Sequence, residues 1–563
     1  MQVAQKLARQ APRALRARGL HSTRATLAKI LCSDPIDPVC IEIFEKQGHQ
    51  VDSITGLGED ELCGIIGDYD GLVVRSATKV TPKVMDAATN LKVIGRAGVG
   101  IDNIDTPHAT RRGIMVMNTP GGNTVSTAQL AVSLICSAAR SIPAADMSMK
   151  AGKWERKAFS GVELKGKTLA IVGCGRIGMV VAKWAGAMGM RLVGYDPALP
   201  QEVADEYGIE LASLEAIWPQ ADFITLHTPL TPDTKDLVNA ETLAQCKDGV
   251  RIVNCARGGI IDEHALLDGL NSGKVAAAAL DVYSSEPPPA ELADLIAHPN
   301  LISTPHLGAS TSEAQINVAR DVALQMCDTL MGRDYVGVVN VKFMAMAQKA
   351  VMRPFMKLGE QIGEIVSQCA GGNLSSLELR TWGGMDIDIT KPAARELLKA
   401  CVLRGALRHI ASSEPTLIAA PFLAGEMGID SSVAGDIVRP EGPYRNLISV
   451  DITTSNGQKM TVTGSVFGED PHIVQINDHN SFPAFVPEDT LLMFKNEDKP
   501  GAVLGALDVL RQYNINVAKL RLSRQDNDVA LCLMTLDSAV PAQAVEQLDT
   551  LGTLSDVRTA NFA

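Results

Sequence analysis

The sequence predicts an α/β protein in which two doubly wound, parallel-sheet domains are followed by two smaller α+β domains. Short apolar runs alternate with helical stretches from Leu27 onward, which is the pattern of βαβ units. A turn of the form G-x-G-x-x-G, beginning at Gly173, joins one of these runs to a helix. After Phe343 the sequence mixes helical stretches with polar, alternating strands. A chain of 563 residues has room for these four units, at roughly 100–200 residues per domain.

Composition excludes several classes of protein. Hydrophobic residues at 46% and charged residues at 21% are typical of a globular chain. No uninterrupted apolar run approaches the roughly 18 residues of a membrane-spanning helix, so we expect no membrane partner. The net charge of −12 argues against nucleic-acid binding. The cysteines are scattered, without C-x-x-C pairs or Cys/His clusters, so neither a disulfide framework nor a metal site is expected.

The first 26 residues differ in composition from the rest of the chain. Lysine and arginine are frequent here, and the first acidic residue is Asp34. A basic, acid-free, amphipathic start is typical of an organelle import signal. We therefore expect residues 1–26 to be a targeting peptide, for the mitochondrion ahead of the plastid. The alternative is a disordered basic tail on a cytoplasmic protein.

The first domain is predicted over 27–122, together with 310–343. Five apolar runs are predicted as its strands: LAKILCSD, HQVDSITG, DGLVVRS, LKVIGRAG and GIMVMNTP. The stretch 309–332 is helical in pattern and long enough to pack back onto this domain.

The second domain is predicted over 123–309. It begins with a long helix, STAQLAVSLICSAARSI, that is too polar at intervals to span a membrane. Six strands follow, separated by helices: KTLAIVGCG, MRLVGYDP, ADFITLHTP, VRIVNCARG, AAAALDVY and LISTPH. Six strands with intervening helices fit a complete doubly wound, Rossmann-like sheet.

The last two domains are predicted over 344–484 and 489–563. The third combines the helical stretches KLGEQIGEIVSQCA and KPAARELLKACVLRGALRHIAS with the strands LISVDITTS, KMTVTGSVFG and HIVQIND. The fourth has the order βαββαβ, with strands TLLMFKNED, NINVAKLRLSR, DVALCLMTLD and LSDVRTANF.

The turn IVGCGRIG is the strongest local signal of function. Its glycines, Gly173, Gly175 and Gly178, follow an apolar strand and open a helix, where backbone N–H groups can approach a pyrophosphate. The next strand ends in Asp196, placed where a carboxylate would accept both ribose hydroxyls. Since Asp196 would repel a 2′-phosphate and no cation follows it, the pattern predicts NAD rather than NADP.

Hydride transfer also needs an acid/base and a cation for the substrate's carboxylate. Arg257, Glu286 and His306 each follow a strand of the second domain, at the sheet edge where ligands of such folds bind. Arginine grips carboxylates bidentately, and a carboxylate beside a histidine favours the imidazolium form. Taken singly, each is better explained without a catalytic role: Arg257 as a surface cap, Glu286 as a solvated loop acid and His306 as a core histidine. Their order behind a dinucleotide-binding turn favours catalytic roles.

These motifs occur in the order found in a known family. IVGCGRIG, LHTPL, VNCARGGIIDE, ALDVYSSEPP and TPHLGAST together resemble the D-isomer-specific 2-hydroxyacid dehydrogenases. The resemblance implies that the first domain binds substrate and the second binds NAD. It assigns Arg257 to substrate orientation, Glu286 to supporting the histidine, and His306 to acid/base catalysis. It also carries cofactor contacts over to Gly173, Gly175, Arg176, Ile177, Gly178, Asp196, Thr228, Cys255, Ala256, Asp281 and His306 through Ala309.

Within this family, VVRSATKVT, GRAGVGIDNID and GKWERKAF resemble members that oxidise 3-phospho-D-glycerate to 3-phosphooxypyruvate in serine synthesis. The resemblance extends from residue 27 to the C-terminus. The substrate's phosphate requires further cations. Arg75 and Arg96 lie at predicted strand ends of the first domain, and Arg156 or Lys157 is a candidate to complete the set, from this subunit or a partner. The alternative is that these residues, Arg156 and Lys157 above all, are ordinary surface cations. The alternatives are a glyoxylate or hydroxypyruvate reductase, and an NAD-sensing, corepressor-like binding protein.

The fourth domain has a recognisable turn of its own. EDKPGAV, between a strand and a helix, resembles the ligand-binding turn of ACT domains, which bind amino acids. We expect Asn496 and Asp498, faced by Asn516, to bind L-serine as an effector. The alternative is a dimerisation module without a ligand. Residues 344–484 resemble the intervening regulatory domain of the longer family members, and the resemblance implies a homotetramer.

Overall fold

The computed structural model describes residues 27–383, 388–411, 415–435, 443–524 and 529–562. The predicted targeting peptide, residues 1–26, lies outside the described residues. The described chain forms four β-sheets, two of them entirely parallel. The α/β class and the succession of two parallel-sheet domains and two α+β domains are therefore confirmed.

The first domain is a five-stranded parallel sheet of order β2-β1-β3-β4-β5. Its strands are β1 (Lys29–Cys32), β2 (Gln50–Ser53), β3 (Gly71–Val74), β4 (Val93–Arg96) and β5 (Met115–Asn118). Its helices are α1 (Val39–Lys46), α2 (Glu59–Ile65), α3 (Pro82–Ala87) and α4 (Thr106–Arg111). All five predicted strands are present, and each is largely buried except for β2.

The second domain contains a seven-stranded parallel sheet of order β12-β11-β10-β9-β6-β7-β8. Its strands are β6 (Thr168–Val172), β7 (Arg191–Tyr195), β8 (Ile209–Leu211), β9 (Phe223–Leu226), β10 (Val250–Asn254), β11 (Val275–Leu280) and β12 (Leu301–Ser303). Its helices are α5 (Thr124–Arg140), α6 (Ile142–Lys150), α7 (Arg176–Ala187), α8 (Gln201–Glu206), α9 (Leu214–Ile217), α10 (Ala240–Gln245), α11 (Glu263–Ser272) and α12 (Ala293–Ile296). The six predicted strands are confirmed, and the short edge strand β8 joins them.

Helix α13 (Ser312–Leu330) returns to the first domain. Its Val318, Val322 and Met326 pack in one buried cluster with Ile30 and Val73 of the first sheet. The predicted long helix and its packing on the first domain are thus confirmed. The chain therefore crosses between the first two domains twice, and a cleft lies between them.

No single helix among the described residues is long and apolar enough to cross a membrane. The pair α5 and α6 meets that criterion only when taken together, and its axis bends by 64° between them. One face of α5 is buried against the second sheet, through residues such as Ala131 and Ile135.

The third domain holds a mixed sheet of order β14-β13-β15-β16-β17. Its elements are α14 (Met344–Ala347), α15 (Arg353–Cys369), β13 (Leu374–Gly383), α16 (Pro392–Leu407), α17 (Ala420–Glu426), β14 (Asp430–Val433), β15 (Asn446–Thr454), β16 (Lys459–Phe467) and β17 (Asp470–Ile476). The predicted helices and three predicted strands are present, whereas β13 and β14 were not predicted.

The fourth domain has the predicted βαββαβ order in an antiparallel sheet, β19-β20-β18-β21. Its elements are β18 (Thr490–Glu497), α18 (Leu504–Gln512), β19 (Val517–Arg524), β20 (Val529–Leu536), α19 (Ala542–Asp549) and β21 (Leu554–Asn561). One face of the sheet packs on its own helices, and the other joins the core of the third domain.

Candidate active site

The glycine turn after β6 forms a backbone cradle at the start of α7. Gly173 has φ +93°, and a Cβ there would lie 2.7 Å from the carbonyl carbon of His227. A Cβ on Gly178 would collide with the carbonyl oxygen of Gly173, whereas Gly175 faces open space. The first and third glycines are therefore required for packing, and the second leaves room for a pyrophosphate at the helix N-terminus.

Asp196 lies beside this cradle, one residue after β7. Its Oδ2 accepts from the Cys174 N–H at 3.0 Å, and its Oδ1 accepts from the Ala198 N–H at 2.9 Å. Each carboxylate oxygen keeps a second lone pair for a ribose hydroxyl. Pro197, Ala198 and Leu199 follow without a cation, which matches NAD rather than NADP.

Buried polar atoms without partners face the same region. Thr228 Oγ1 and His227 Nδ1 have no hydrogen-bond partner among the described residues. Since a buried polar group is normally satisfied, Thr228 fits the predicted cofactor contact. Burial lowers the pKa of His227 to about 4, so its ring is neutral, and Nε2 is paired with Thr225 Oγ1 at 2.9 Å. The residues present therefore fit a bound dinucleotide.

The remaining candidates for cofactor contacts lie either at the start of α7, beside the cradle, or just after β10. Arg176 is exposed at the first position of α7, with Ile177 behind it. Cys255 is buried after β10, and burial raises the pKa of its thiol. The neighbouring Ala256 N–H donates to Asn254 Oδ1 at 2.9 Å.

Besides its predicted contact with the cofactor, Asp281 stabilises the loop around His306, a role that the sequence did not predict. Its buried carboxylate accepts from Thr304 Oγ1 at 2.5 Å, from the Leu307 N–H at 2.7 Å and from the Gly308 N–H at 2.9 Å. Burial raises the pKa of Asp281, and these hydrogen bonds oppose that rise. Asp281 therefore holds together the loop that carries His306 and Ala309.

His306 and Glu286 form a close pair. His306 Nδ1 lies 2.7 Å from Glu286 Oε2, while Glu286 Oε1 accepts from the Tyr283 N–H at 3.3 Å. His306 has φ +56°, a conformation that costs a non-glycine residue roughly 1–2 kcal/mol. The histidine is about half exposed, and its Nε2 has no hydrogen-bond partner among the described residues.

Arg257 bridges the two domains across the cleft. Its Nε donates to Asp102 Oδ2 of the first domain at 3.1 Å, and its NH1 donates to the Ala256 carbonyl at 2.7 Å. Its guanidinium lies against Gly100, where a Cβ would collide with it. Glycine at that position of GRAGVG is thus needed for the arginine to reach the first domain.

Arg96 and Arg75 complete a cluster of three cations. Burial and the charges of Arg257 and Arg75 lower the pKa of Arg96 to about 10. The guanidinium remains protonated at neutral pH, and its Nε donates to Asn103 Oδ1 at 3.2 Å. The Nε of Arg75 is buried and has no partner among the described residues. Three mutually repelling arginines are suited to a multiply charged anion.

Arg156 and Lys157 are not part of this cluster within one chain. Both are exposed, after α6, and have no hydrogen bond or ion pair to the other described residues. Among the described residues, the cluster in the cleft therefore consists of Arg75, Arg96 and Arg257.

Several residues that hold the site residues in place were not predicted from the sequence. Asp34 is buried and accepts from the Arg75 N–H at 2.6 Å and from Thr78 Oγ1 at 2.6 Å. Ser126 and Thr127 donate to the Gly308 carbonyl at 2.8 and 2.9 Å. Each lies far in sequence from the residue it holds, so no local pattern points to it. The exception is Asp34, which ends the first apolar run just as Asp196 ends a later one.

The structure corrects one expectation for the fourth domain. Asn516 does not face Asn496 and Asp498 within the same chain. Because β18 and β19 both pair antiparallel with β20, Asn516 lies next to the Thr490 end of the sheet. Asn496 is six residues further along β18, which is roughly 20 Å at 3.3 Å per residue. Asn516 donates instead to Asp537 Oδ2 at 2.7 Å.

Comparison with known proteins agrees with the geometry of the cleft. Residues 132–308 match the NAD binding domain of the D-isomer specific 2-hydroxyacid dehydrogenases, and residues 351–477 match the D-3-phosphoglycerate dehydrogenase intervening domain. The D-3-phosphoglycerate dehydrogenase of Methanocaldococcus jannaschii is 40% identical over 95% of this chain and 100% of its own length. The chain belongs to the D-3-phosphoglycerate dehydrogenase family.

Other members and neighbours are consistent with this assignment. The human D-3-phosphoglycerate dehydrogenase is also 40% identical, over 92% of this chain and 96% of its own. The structure of a glyoxylate reductase from Paecilomyes thermophila matches with a TM-score of 0.50 at 30% identity, covering 54% of this chain and 96% of the reductase. As a member of the D-3-phosphoglycerate dehydrogenase family, the chain is an NAD-dependent oxidoreductase.

Proposed function

We propose that the protein oxidises 3-phospho-D-glycerate to 3-phosphooxypyruvate with NAD, the first step of phosphorylated L-serine synthesis. The observation that carries this proposal is the cluster of Arg75, Arg96 and Arg257 in the cleft that also holds the His306–Glu286 pair. A substrate with a carboxylate at one end and a phosphate at the other matches such a cluster in charge. The similarity to D-3-phosphoglycerate dehydrogenases along nearly the whole chain supports the same substrate.

The catalytic roles follow from which atoms are already engaged. When bound at the glycine turn, NAD supplies the acceptor for the substrate's hydride. His306 Nδ1 is held by Glu286, so Nε2 is the atom that takes the substrate's hydroxyl proton. The Glu286 carboxylate stabilises the resulting imidazolium. Arg257 binds the substrate carboxylate, which takes the place of Asp102 on its guanidinium.

The phosphate is assigned to Arg75 and Arg96. Neither arginine forms an ion pair with a carboxylate of the described chain. Their charge is therefore available to a ligand, and Arg156 of a neighbouring copy is proposed to complete the phosphate site.

Replacing Arg75 tests the assignment of the phosphate site. Arg75→Ala should raise the KM for 3-phospho-D-glycerate at least about tenfold, because a charge-assisted hydrogen bond contributes roughly 1.5–3 kcal/mol. The KM for unphosphorylated D-glycerate should change far less. Arg320→Ala, which removes an exposed arginine of α13, is the matched control. Equal effects of Arg75→Ala on the two substrates would refute its phosphate role.

A glyoxylate or hydroxypyruvate reductase is the second candidate, and it is favoured by the likeness to the Paecilomyes thermophila glyoxylate reductase. The same His306–Glu286 pair would serve it without phosphate recognition. That likeness covers about half of this chain, whereas the likeness to D-3-phosphoglycerate dehydrogenases covers nearly all of it. Efficient glyoxylate reduction without oxidation of 3-phospho-D-glycerate would favour the reductase. An NAD-sensing, corepressor-like protein would catalyse neither reaction.

We also propose that the fourth domain is an ACT domain that binds L-serine between two copies in a homotetramer. Strand β19 is an edge strand, so it can pair antiparallel with β19 of a second copy. That pairing would bring Asn516 of the second copy to the Arg524 end of the first, where Arg524 Nε lies 3.2 Å from Asp498 Oδ2. Asn496 Oδ1 is buried nearby without a partner among the described residues.

The serine site predicts inhibition of NADH formation by excess L-serine. Asn516→Ala should abolish the inhibition while leaving the uninhibited rate unchanged. If L-serine does not change the rate of the unmodified protein, the regulatory role is contradicted and the alternative, a dimerisation module without a ligand, is favoured.

For residues 1–26 we propose mitochondrial targeting, supported by their basic, acid-free composition. Fusion of residues 1–30 to a fluorescent protein should direct it to mitochondria. Accumulation in plastids or in the cytoplasm would contradict this location.

A further inference from the structure

The segment that carries Arg75 is held by two side chains of the first domain. We call residues 75–78, which follow β3, the Arg75 loop. Asp34, buried after β1, accepts from two N–H groups of this loop, that of Arg75 at 2.6 Å and that of Thr78 at 3.0 Å. The carbonyl groups of the same two residues accept from Asn103 Nδ2, at 2.8 and 2.7 Å. One carboxylate and one amide therefore fix the backbone of the Arg75 loop.

The amide of Asn103 also holds Arg96. Its Oδ1 accepts from Arg96 Nε at 3.2 Å. A primary amide combines two N–H donors with an acceptor oxygen, and here both donors and the oxygen are engaged at once. Asn103 thereby connects the two arginines that are assigned to the phosphate, although Arg75 follows β3 and Arg96 ends β4.

Arg96 needs such a partner because its neighbours are also cations. Burial, and then the charges of Arg257 and Arg75, lower the pKa of Arg96. Since like charges repel, a fixed hydrogen bond is required to keep the guanidinium near Arg75. Asn103 binds the Nε atom, and neither NH1 nor NH2 of Arg96 hydrogen-bonds to another residue of the described chain. Two nitrogens of the guanidinium are thus left for a phosphate.

Backbone hydrogen bonds hold this region together without the Asn103 side chain. The Val80 N–H donates to the Asn103 carbonyl at 2.8 Å, and the Asp105 N–H donates to the Val80 carbonyl at 3.1 Å. Asp105 also caps α4, where its Oδ1 accepts from the His108 N–H at 2.9 Å. Loss of the amide should therefore leave the fold of the first domain intact while it releases the two arginines.

We propose that Asn103 is a positioning residue that sets the spacing of Arg75 and Arg96 for the substrate's phosphate. This inference rests on the proposed function, because it concerns the phosphate site of that reaction. Both N–H groups of Asn103 are engaged, so it has no donor left for the phosphate and acts through the arginines. Aspartate at this position would offer the two carbonyl groups no donor, and its charge would pair with Arg96.

Steady-state kinetics on the full-length protein test the proposal. Asn103→Ala should raise the KM for 3-phospho-D-glycerate at least about fivefold, because Arg96 loses a charge-assisted hydrogen bond and the Arg75 loop is released. The fall in kcat should be less than about twofold, since the His306–Glu286 pair is untouched, and the KM for D-glycerate should change equally little. Asn103→Asp should raise the KM for 3-phospho-D-glycerate further, because the new carboxylate competes with the phosphate for Arg96.

Asn340→Ala is the matched control. Asn340 is a second asparagine whose amide joins three groups near the first sheet: its Oδ1 accepts from the Val116 N–H, and its Nδ2 donates to Thr110 Oγ1 and to the Ile114 carbonyl, each at 2.9 Å. None of these groups contacts the arginines. Asn340→Ala should therefore keep the KM of the unmodified protein for both substrates.

A double-mutant cycle tests whether Asn103 acts through Arg96. In the Arg96→Ala background, Asn103→Ala should lower kcat/KM for 3-phospho-D-glycerate less than it does alone, because the guanidinium that it positions is absent. Fully additive effects would overturn the proposal, as would equal effects of Asn103→Ala on the two substrates. Asn103→Asp, which preserves the shape of the side chain, keeps the test decisive where Asn103→Ala fails to fold, and an unchanged KM in that variant would also overturn the proposal.

The same assays separate this role from the reaction itself. If the unmodified protein does not oxidise 3-phospho-D-glycerate, the proposed function fails and the role of Asn103 fails with it. If the unmodified protein oxidises this substrate and Asn103→Ala has the same KM, only the role of Asn103 is overturned.

Discussion

Single residues in the cleft are held by partners from distant parts of the chain. His306 keeps a positive φ because Asp281 accepts hydrogen bonds from the loop around it. Arg257 is held by Asp102 of the other domain. Strained residues fixed in this way are characteristic of functional sites. The residue types at the centre of the site were predictable from the sequence, whereas the partners that fix them were not.

Asp102 competes with substrate for Arg257, which leads to a prediction for its removal. Asp102→Asn should lower the KM for 3-phospho-D-glycerate, because it frees the guanidinium and makes the cleft more positive. The change should not exceed about fivefold, since an exposed ion pair contributes roughly 1 kcal/mol or less. Steady-state kinetics at low ionic strength measure it. Asp86→Asn, an exposed acid paired with His108, should have no effect, and a rise in KM for Asp102→Asn would contradict the competition.

At the level of elements, the carboxyl ends of β6, β7, β9 and β10 converge on the cofactor cradle. This follows from the strand order, in which β6 lies between β7 and β9, the position where such folds bind nucleotides. Apolar runs predicted these strands because each is buried on both faces. Strand β13 was not predicted although Leu377 and Leu379 alternate with polar residues, which is a strand pattern. Strand β8 was not predicted because it has only three residues at the sheet edge.

His227, just after β9, makes the stability of the second domain depend on pH. Its pKa is about 4 in the folded protein, against an ordinary value of 6.5. Above pH 6.5 neither state binds the proton, so the full stability is present. As the pH falls from 6.5 towards 4, only the unfolded chain binds the proton. The free energy of unfolding therefore falls by up to about 3 kcal/mol, at roughly 1.4 kcal/mol per pH unit.

Urea unfolding at pH 7.5 and pH 5 measures this contribution. His227→Asn should reduce the loss of stability between the two pH values, because the substituted side chain does not titrate. His264→Asn, an exposed histidine of α11, should show the same loss as the unmodified protein. If His227→Asn retains the full loss, the histidine does not cause it.

At the scale of the whole molecule, the third and fourth domains share one hydrophobic core. Leu533 and Met493 of the last sheet lie in the same buried cluster as Leu358 and Ile362 of α15. Gln361 Nε2 also donates to the Pro487 carbonyl at 2.8 Å. The sequence predicted two separate α+β units because each has its own run of strands. Their shared face could not be predicted, since the strands of the fourth domain carry apolar residues for two different cores.

This shared core predicts joint unfolding. Leu533→Ala should destabilise both domains together by roughly 2–5 kcal/mol, the range for such a truncation in a packed core. Calorimetry should show one transition for the two domains shifting to lower temperature, while the transition of the NAD-binding domain stays in place. Separate transitions for the third and fourth domains would contradict a common core.

The central claim is that this cleft oxidises 3-phospho-D-glycerate through His306. NADH formation by the unmodified protein and by His306→Ala, measured side by side with this substrate, tests it most directly. General acid–base catalysis is worth about 10²–10⁴ in rate. We therefore expect His306→Ala to lose at least a hundredfold in kcat while it still binds NAD. Failure of the unmodified protein to form NADH, or near-normal turnover by His306→Ala, would contradict the account.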